Sequence, residues 1–311
     1  MSKFVVTGGA GFIGSNIVEE LLNQGHQVKV IDNLSTGFAK NLAEFKDKIE
    51  FVEGDIQDLD LLQKEFAGFD YVLHQAALCS VPRSVNDPIK SNQSNIDGTL
   101  NVLVAARDNK IKRLVYASSS SVYGEATAEY KVETLPISPL SPYALTKYAA
   151  ERYTQLFYKL YGLETVCLRY FNVFGPKQDP ASQYSAVIPL FIDKILKGES
   201  PVILGDGEQS RDFTYVANNV SANILAATAV GGAGEVMNVA CGTSTTLNEL
   251  VRLINEELGT DVKPEYQEAR VGDIKHSKAD VNKAKELIGY EPKISFEKGL
   301  KETIQWYKKM I

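Results

Sequence analysis

Short apolar runs separated by longer, one-sided patterns dominate the first half of the chain. The runs at 4–7, 28–31, 49–53, 71–74, 114–118 and 165–169 are rich in valine, isoleucine and leucine and predict strands. Between them, 12–24, 60–66, 95–109 and 143–161 carry apolar residues at helical spacing. Strands that are apolar on both faces, alternating with helices, predict a parallel sheet covered on both sides, a doubly wound α/β domain. Ligands of such a sheet lie beyond the carboxyl ends of its strands. After residue 169 the pattern loosens into helices, short strands and turns such as Gly205-Asp206-Gly207, and 295–311 reads as an amphipathic helix. No internal repeat and no Pro/Gly/Ser linker interrupts the chain, so a second lobe is expected to be interleaved with the first.

At 311 residues the chain exceeds what one hydrophobic core usually serves, which predicts two lobes. Its 44% apolar and 23% charged content is that of an ordinary globular protein. A net charge of −6 with no basic block argues against nucleic acid or an anionic membrane as the main partner. Eight of the 33 basic residues are arginines, the side chain best suited to bidentate phosphate contacts. Cys79, Cys167 and Cys241 are widely spaced beside small or apolar residues and are expected to be buried free thiols, with no metal or disulfide role. No leader pattern precedes the first strand and no apolar run is long enough to span a bilayer, so the expected location is cytoplasmic.

The segment VVTGGAGFIGSN places Gly8, Gly11 and Gly14 after a strand and at the opening of a helix. Such a turn lets backbone approach a pyrophosphate and aims amide N–H groups and the helix dipole at anionic oxygens. Asp32 follows at the end of the second strand, where a carboxylate accepts hydrogen bonds from an adenosine ribose and repels a 2′-phosphate. The expected cofactor is therefore NAD. Asp55 and Ile56 end the third strand, placed either to meet an adenine or simply to lead into the next helix.

Residues 114–117 read as a buried strand that stops in four serines, Ser118 to Ser121. Buried serines need partners, so the run is either a polar turn or a hydroxyl aimed at a ligand. Further on, Ser141 caps a helix whose first turn holds Tyr143, with Lys147 one turn later on the same face. Fifteen tyrosines in 311 residues, with the lysines present, yield about one such pair by chance, so placement rather than spacing carries the signal. A cation within about 4–6 Å lowers a phenol by about one to three units, which would let Tyr143 take a proton from a substrate hydroxyl that a serine positions. The other reading is a surface Tyr/Lys pair that supports the helix.

With these residues in place the chain resembles the extended short-chain dehydrogenase/reductase family, and within it the nucleotide-sugar 4-epimerases. The likeness spans essentially all 311 residues and is carried by TGGAGFIGSN, DNLSTG, GDI, HQAA, SSSSVYG, SPYALTK, RYFNVFGPKQDP, AVIP, GDGEQSRDFTYV and RVGDIKHSKADVNKA. It implies a Rossmann-type sheet with a smaller, interleaved mixed α/β substrate lobe. The dinucleotide domain would be 1–168 with about 213–238, and the sugar-nucleotide lobe about 169–212 with 239–311. It implies cofactor contacts from Gly8, Gly11, Phe12, Ile13, Gly14, Asp32, Asn33, Asp55, Ile56, Gln75, Ala76, Ala77, Tyr143 and Lys147. Ser119, Tyr143 and Lys147 match the catalytic positions. Ser119, Ser120, Arg83, Asn172, Val187, Arg211, Arg270, Asp273 and Ser277 would meet the UDP-sugar. A homodimer through the helices at 95–109 and 143–161 is implied as well.

The reaction implied is oxidation of the sugar at carbon 4, rotation of the 4-keto sugar, and reduction from the opposite face. The related dehydratases carry an Asp-Glu pair where this chain has Ser120 and Ser121, which disfavours loss of water. SVPRSVNDPIKSN is most similar to enzymes interconverting UDP-N-acetylglucosamine and UDP-N-acetylgalactosamine. Ser277 matches a wall position that bears tyrosine where only unacetylated sugars are accepted. A UDP-glucuronate 4-epimerase, with Arg83 meeting the sugar carboxylate, is the alternative within the family. A catalytically silent NAD-binding regulator is the alternative outside it.

Overall fold

The computed structural model describes residues 1–124, 126, 128–179, 186–269 and 275–309. The first half runs β1 (Lys3–Thr7), α1 (Phe12–Asn23), β2 (Gln27–Asp32), β3 (Glu50–Glu53), α2 (Leu59–Glu65), β4 (Tyr71–His74), α3 (Val81–Asn86), α4 (Pro88–Asn92), α5 (Gly98–Asp108), β5 (Arg113–Ser119), α6 (Pro142–Tyr161) and β6 (Glu164–Tyr170). The second half runs β7 (Val173–Phe174), α7 (Val187–Leu196), β8 (Val202–Leu204), β9 (Ser210–Arg211), β10 (Thr214–Tyr215), α8 (Val216–Thr228), β11 (Val236–Val239), β12 (Thr245–Thr246), α9 (Leu247–Leu258), β13 (Glu265–Gln267), β14 (His276–Ser277), α10 (Asn282–Ile288) and α11 (Phe296–Lys308).

Seven strands form one parallel sheet in the order β11-β6-β5-β4-β1-β2-β3. The apolar runs become strands because both faces are covered. Phe4 and Val6 pack on one side with Ile17 of α1 and Ala222 of α8. Val5, between them, packs on the other with Leu62 of α2, Val102 of α5 and Ala150 of α6. This is the two-residue alternation of a pleated strand with apolar partners on both sides. The first of these cores continues into the second half of the chain, taking in Ile192 of α7, Leu250 of α9 and Ile304 of α11.

Three features depart from the sequence expectation. The sheet has a seventh strand, β11, whose four residues Val-Met-Asn-Val carry too short a pattern to separate from a loop. The helix expected over 95–109 starts as a π-type turn, Gln93–Asp97, before α5. Two further short helices, α3 and α4, begin at Ser80 and Asp87, whose side chains cap Arg83 and Lys90. The longest helix, α6, keeps its predicted start: Ser141 accepts from the Ala144 N–H, Pro142 sits in the first turn, and Gly162 closes the other end with φ +71°.

Candidate active site

The glycine turn is built for close backbone approach. Gly8 has φ +71°, and a Cβ there would lie 2.6 Å from the Ala76 nitrogen. A Cβ at Gly14 would lie 2.2 Å from the Gly8 carbonyl oxygen. Gly11 donates to that same carbonyl at 3.1 Å. Gly11 has no side chain to cap α1, so the N–H groups of Phe12 and Ile13 open the helix without internal acceptors. The result is a concave, donor-rich turn next to half-buried Ala76 and Ala77.

Asp32 closes this cradle at the end of β2. Its carboxylate accepts from the N–H of Ala10 at 2.9 Å and of Leu34 at 2.8 Å, which fixes its orientation. Burial pushes its pKa up, and the two backbone donors oppose that rise. Each oxygen still has a lone pair to offer a ribose hydroxyl. Asn33 donates to Asp55 at 2.7 Å, so these two expected cofactor residues stand together, with Ile56 buried behind them against Gly98. The space left by the missing Cβ atoms and the placement of Asp32 fit a dinucleotide. Gln75 is engaged with protein: it donates to Asn223 at 3.0 Å and accepts from Tyr170 at 3.1 Å.

The four serines have separate duties. Ser118 donates to Glu151 at 2.8 Å, and Glu151 forms a buried ion pair with Arg169. Ser119 ends β5 and accepts both the N–H and the hydroxyl of Ser121. Ser120 and Ser121 begin the tight turn Ser120–Tyr123. Burial holds the Tyr143 phenol well above the usual value, the neighbouring Cys79 thiol adds to that rise, and the nearby Ser119 hydroxyl opposes it. The Tyr143 backbone N–H donates to Ser84 of α3 at 3.0 Å, and Arg83 precedes Ser84 on that short helix.

The Lys147 ammonium donates to the Ala117 carbonyl at 2.8 Å, lies 5.1 Å over the Tyr116 ring, and has its own pKa lowered by burial. The cysteines correct one expectation. Cys167 is buried, but Cys79 is exposed and contacts Tyr143, and Cys241 is partly exposed. Cys79 falls in the loop after β4, which reaches over the carboxyl edge of the sheet where any residue is within range of a ligand.

A cavity of about 270 Å³ brings together Asn172, Val187 and Arg211, with Phe174, Phe213 and Leu247 on its walls. Asn172 is held at φ +32° and donates to the Asp212 carbonyl at 3.0 Å. Ser277 of β14 pairs with Arg211 of β9 and is half-buried. Arg270 and Asp273 lie outside the described residues. The aromatic walls had no sequence signal beyond their motifs. Neither did His74, Thr99, Asn95 and Thr146, a buried polar chain behind the site. Among the described residues no group of His, Cys, Asp or Glu side chains is placed to hold a metal, and no helix is long and apolar enough to cross a membrane.

A doubly wound sheet with a glycine turn, an acidic residue ending β2 and a Ser/Tyr/Lys set at the ends of β5 and α6 defines a dinucleotide-dependent enzyme acting on a hydroxyl-bearing substrate. Residues 4–240 match the NAD dependent epimerase/dehydratase family, and the chain belongs to it, with NAD as cofactor. The chain is 42% identical over 306 residues to a putative UDP-glucose 4-epimerase of Methanocaldococcus jannaschii, covering 98% of each. Among solved structures it is similar to a UDP-N-acetylglucosamine 4-epimerase of Methanobrevibacter ruminantium in complex with UDP-N-acetylmuramic acid, with 46% identity, TM-score 0.95, and 100% and 99% of the two chains covered. It is also similar to the UDP-glucose 4-epimerase of Thermus thermophilus in complex with NAD, with 36% identity, TM-score 0.89, and 99% and 100% covered.

Proposed function

We propose that this protein interconverts the carbon-4 epimers of a UDP-hexose through a transient 4-keto sugar, acting on UDP-N-acetylglucosamine and UDP-N-acetylgalactosamine and also on UDP-glucose and UDP-galactose. The observation that carries this reading is the buried Tyr143 phenol beside the Ser119 hydroxyl at the end of β5, next to a glycine turn that accommodates a dinucleotide, with no carboxylic acid at 120 or 121.

NAD supplies the reversible hydride acceptor and donor for carbon 4. Ser119, whose oxygen is already filled by two donors from Ser121, directs its own proton at Tyr143 or at the substrate oxygen and so fixes the reacting hydroxyl. Tyr143 accepts the proton of that hydroxyl on oxidation and returns it on reduction. Lys147, tied to the strand carbonyl of Ala117, holds the cofactor ribose and keeps positive charge under the site. Asn172, Arg211, Arg270 and Asp273 clamp the nucleotide diphosphate. Firm anchoring there and loose contact at the sugar let the keto intermediate turn over. The small Ser277 leaves room for an acetamido group.

The same reading divides the chain between a dinucleotide half, 1–168 with about 213–238, and a sugar-nucleotide half, about 169–212 with 239–311. It also makes the working unit a homodimer. Leu145, Leu156 and Leu160 are exposed along one side of α6, an apolar stripe suited to packing against a second copy. The test is direct: incubate purified protein with UDP-N-acetylglucosamine, UDP-glucose or UDP-glucuronate and follow the axial hydrogen at carbon 4 by NMR. Appearance of the N-acetylgalactosamine epimer supports the reading. Conversion of UDP-glucuronate alone would replace it.

A further inference from the structure

Behind the site a buried chain of hydrogen bonds runs from the glycine turn to Tyr143, and the direction of each bond can be worked out. The Thr99 hydroxyl donates to the Asn95 carbonyl at 2.7 Å, so its proton is used. It must therefore accept from His74 Nε2, 3.0 Å away, which places the imidazole proton on Nε2. His74 Nδ1 is then an acceptor, and the Thr7 hydroxyl, at 2.7 Å, is its donor. The Thr7 oxygen in turn accepts from the Ala76 N–H at 3.4 Å. On the far side the Asn95 amide donates to Thr146 at 3.0 Å, and Thr146 donates to the backbone carbonyl of Tyr143 at 2.8 Å. Asn95 also grips Leu78, whose N–H donates to its Oδ1 at 2.8 Å.

Every side chain in this chain is at least 97% buried. Its near end is joined to the cradle, since Thr7 directly precedes Gly8, and Ala76 lies where a Gly8 side chain would be. Its far end is the first turn of α6. Among the described residues, the charged or titratable groups facing the His74 ring are Lys147 from α6 and Tyr116 from β5. Proton placement is fully used up: adding a proton at Nδ1 would turn the Thr7 bond around and leave the Thr7 hydroxyl seeking a new acceptor.

We propose that His74 is a positioning residue, a neutral Nε2–H relay that holds the Tyr143 turn of α6 in register with the glycine turn. The role in turnover rests on the reading of Tyr143 as the proton acceptor; the relay itself does not. Burial and the nearby Lys147 charge both keep the ring neutral, in line with this geometry.

The chain contains three histidines, which makes the test tractable in the full-length holoenzyme. Long-range ¹H–¹⁵N spectra of histidine-labelled protein should show His74 as the Nε2–H tautomer, unchanged from about pH 5.5 to 8.5. Thr99→Val removes the acceptor and should let the tautomer mix. It should also lower kcat for UDP-N-acetylglucosamine at least about tenfold while KM moves less than about threefold. Thr99→Ser keeps the hydroxyl and should restore both. An Nδ1–H tautomer, a His74 that protonates near the ordinary imidazole range, or an unchanged kcat in Thr99→Val would overturn the proposal. If no UDP-sugar is turned over, the spectra still decide the relay, and the loss falls on the proposed function alone.

Discussion

Ser121 donates twice to Ser119, through its N–H at 3.2 Å and its hydroxyl at 2.9 Å, which leaves the Ser119 proton for a third partner, with the Tyr143 phenol close by. A serine that must donate is a better fixer of a phenolate or an alkoxide than one free to rotate. Ser119→Ala should therefore lower kcat by about 10²-fold or more. Ser121→Ala, which only frees the Ser119 rotor, should cost about tenfold or less. Steady-state rates with one UDP-sugar check both, and equal losses would contradict the arrangement.

The buried Glu151–Arg169 pair supports the first serine and the inner face of α6. Glu151 accepts from Ser118 at 2.8 Å and from Arg169 at 2.7 and 3.0 Å. Removing one partner of a buried ion pair strands the other charge, at a cost of about 3–5 kcal/mol. Glu151→Ala should lose about that much in urea unfolding. A loss under about 1 kcal/mol would mean that solvent reaches Arg169.

His74 gives the fold an acid limit. Burial lowers its pKa from 6.5 to about 3, so the unfolded chain takes up the proton first as pH falls. The contribution of the neutral ring to stability is complete above about 6.5 and is lost progressively from there down toward 3. At pH 5 the loss from this one group is about 2 kcal/mol. The change in unfolding free energy between pH 7 and pH 5 should therefore differ between the unaltered protein and His74→Asn by about that amount, and identical changes would contradict the assignment.

Ser277 of β14 pairs with Arg211 of β9 and is half-buried, and the proposed function makes it a wall of the sugar site. Ser277→Tyr should raise KM for UDP-N-acetylglucosamine about tenfold or more and leave UDP-glucose turnover within about threefold. Equal loss of both substrates would show that the residue is no gate.

What could be read from the chain was what is local. The strands of the sheet announced themselves because Val5, Val30, Val72 and Leu114 are buried between two layers, which demands apolar residues in a row. Gly8, Asp32 and Tyr143 were legible because each sits at a strand end or a helix start with its own short signature. The relay through His74 was not, since its members come from β1, β4, the turn before α5, α5 and α6, and no sequence spacing links them. Helical spacing puts Lys147 on the same face as Tyr143, and the Ala117 carbonyl, which no spacing reveals, decides where its ammonium goes. The small and apolar neighbours of Cys79 predict a buried thiol, but the loop that carries it crosses the open edge of the sheet and leaves it exposed.

The most direct test of the account is Tyr143→Phe in the NAD-containing protein. With UDP-N-acetylglucosamine followed by NMR at carbon 4, and bound dinucleotide followed by its ultraviolet absorbance, the account predicts an epimerisation rate reduced by about 10³-fold with dinucleotide content unchanged. Turnover within tenfold of the unaltered protein would contradict it.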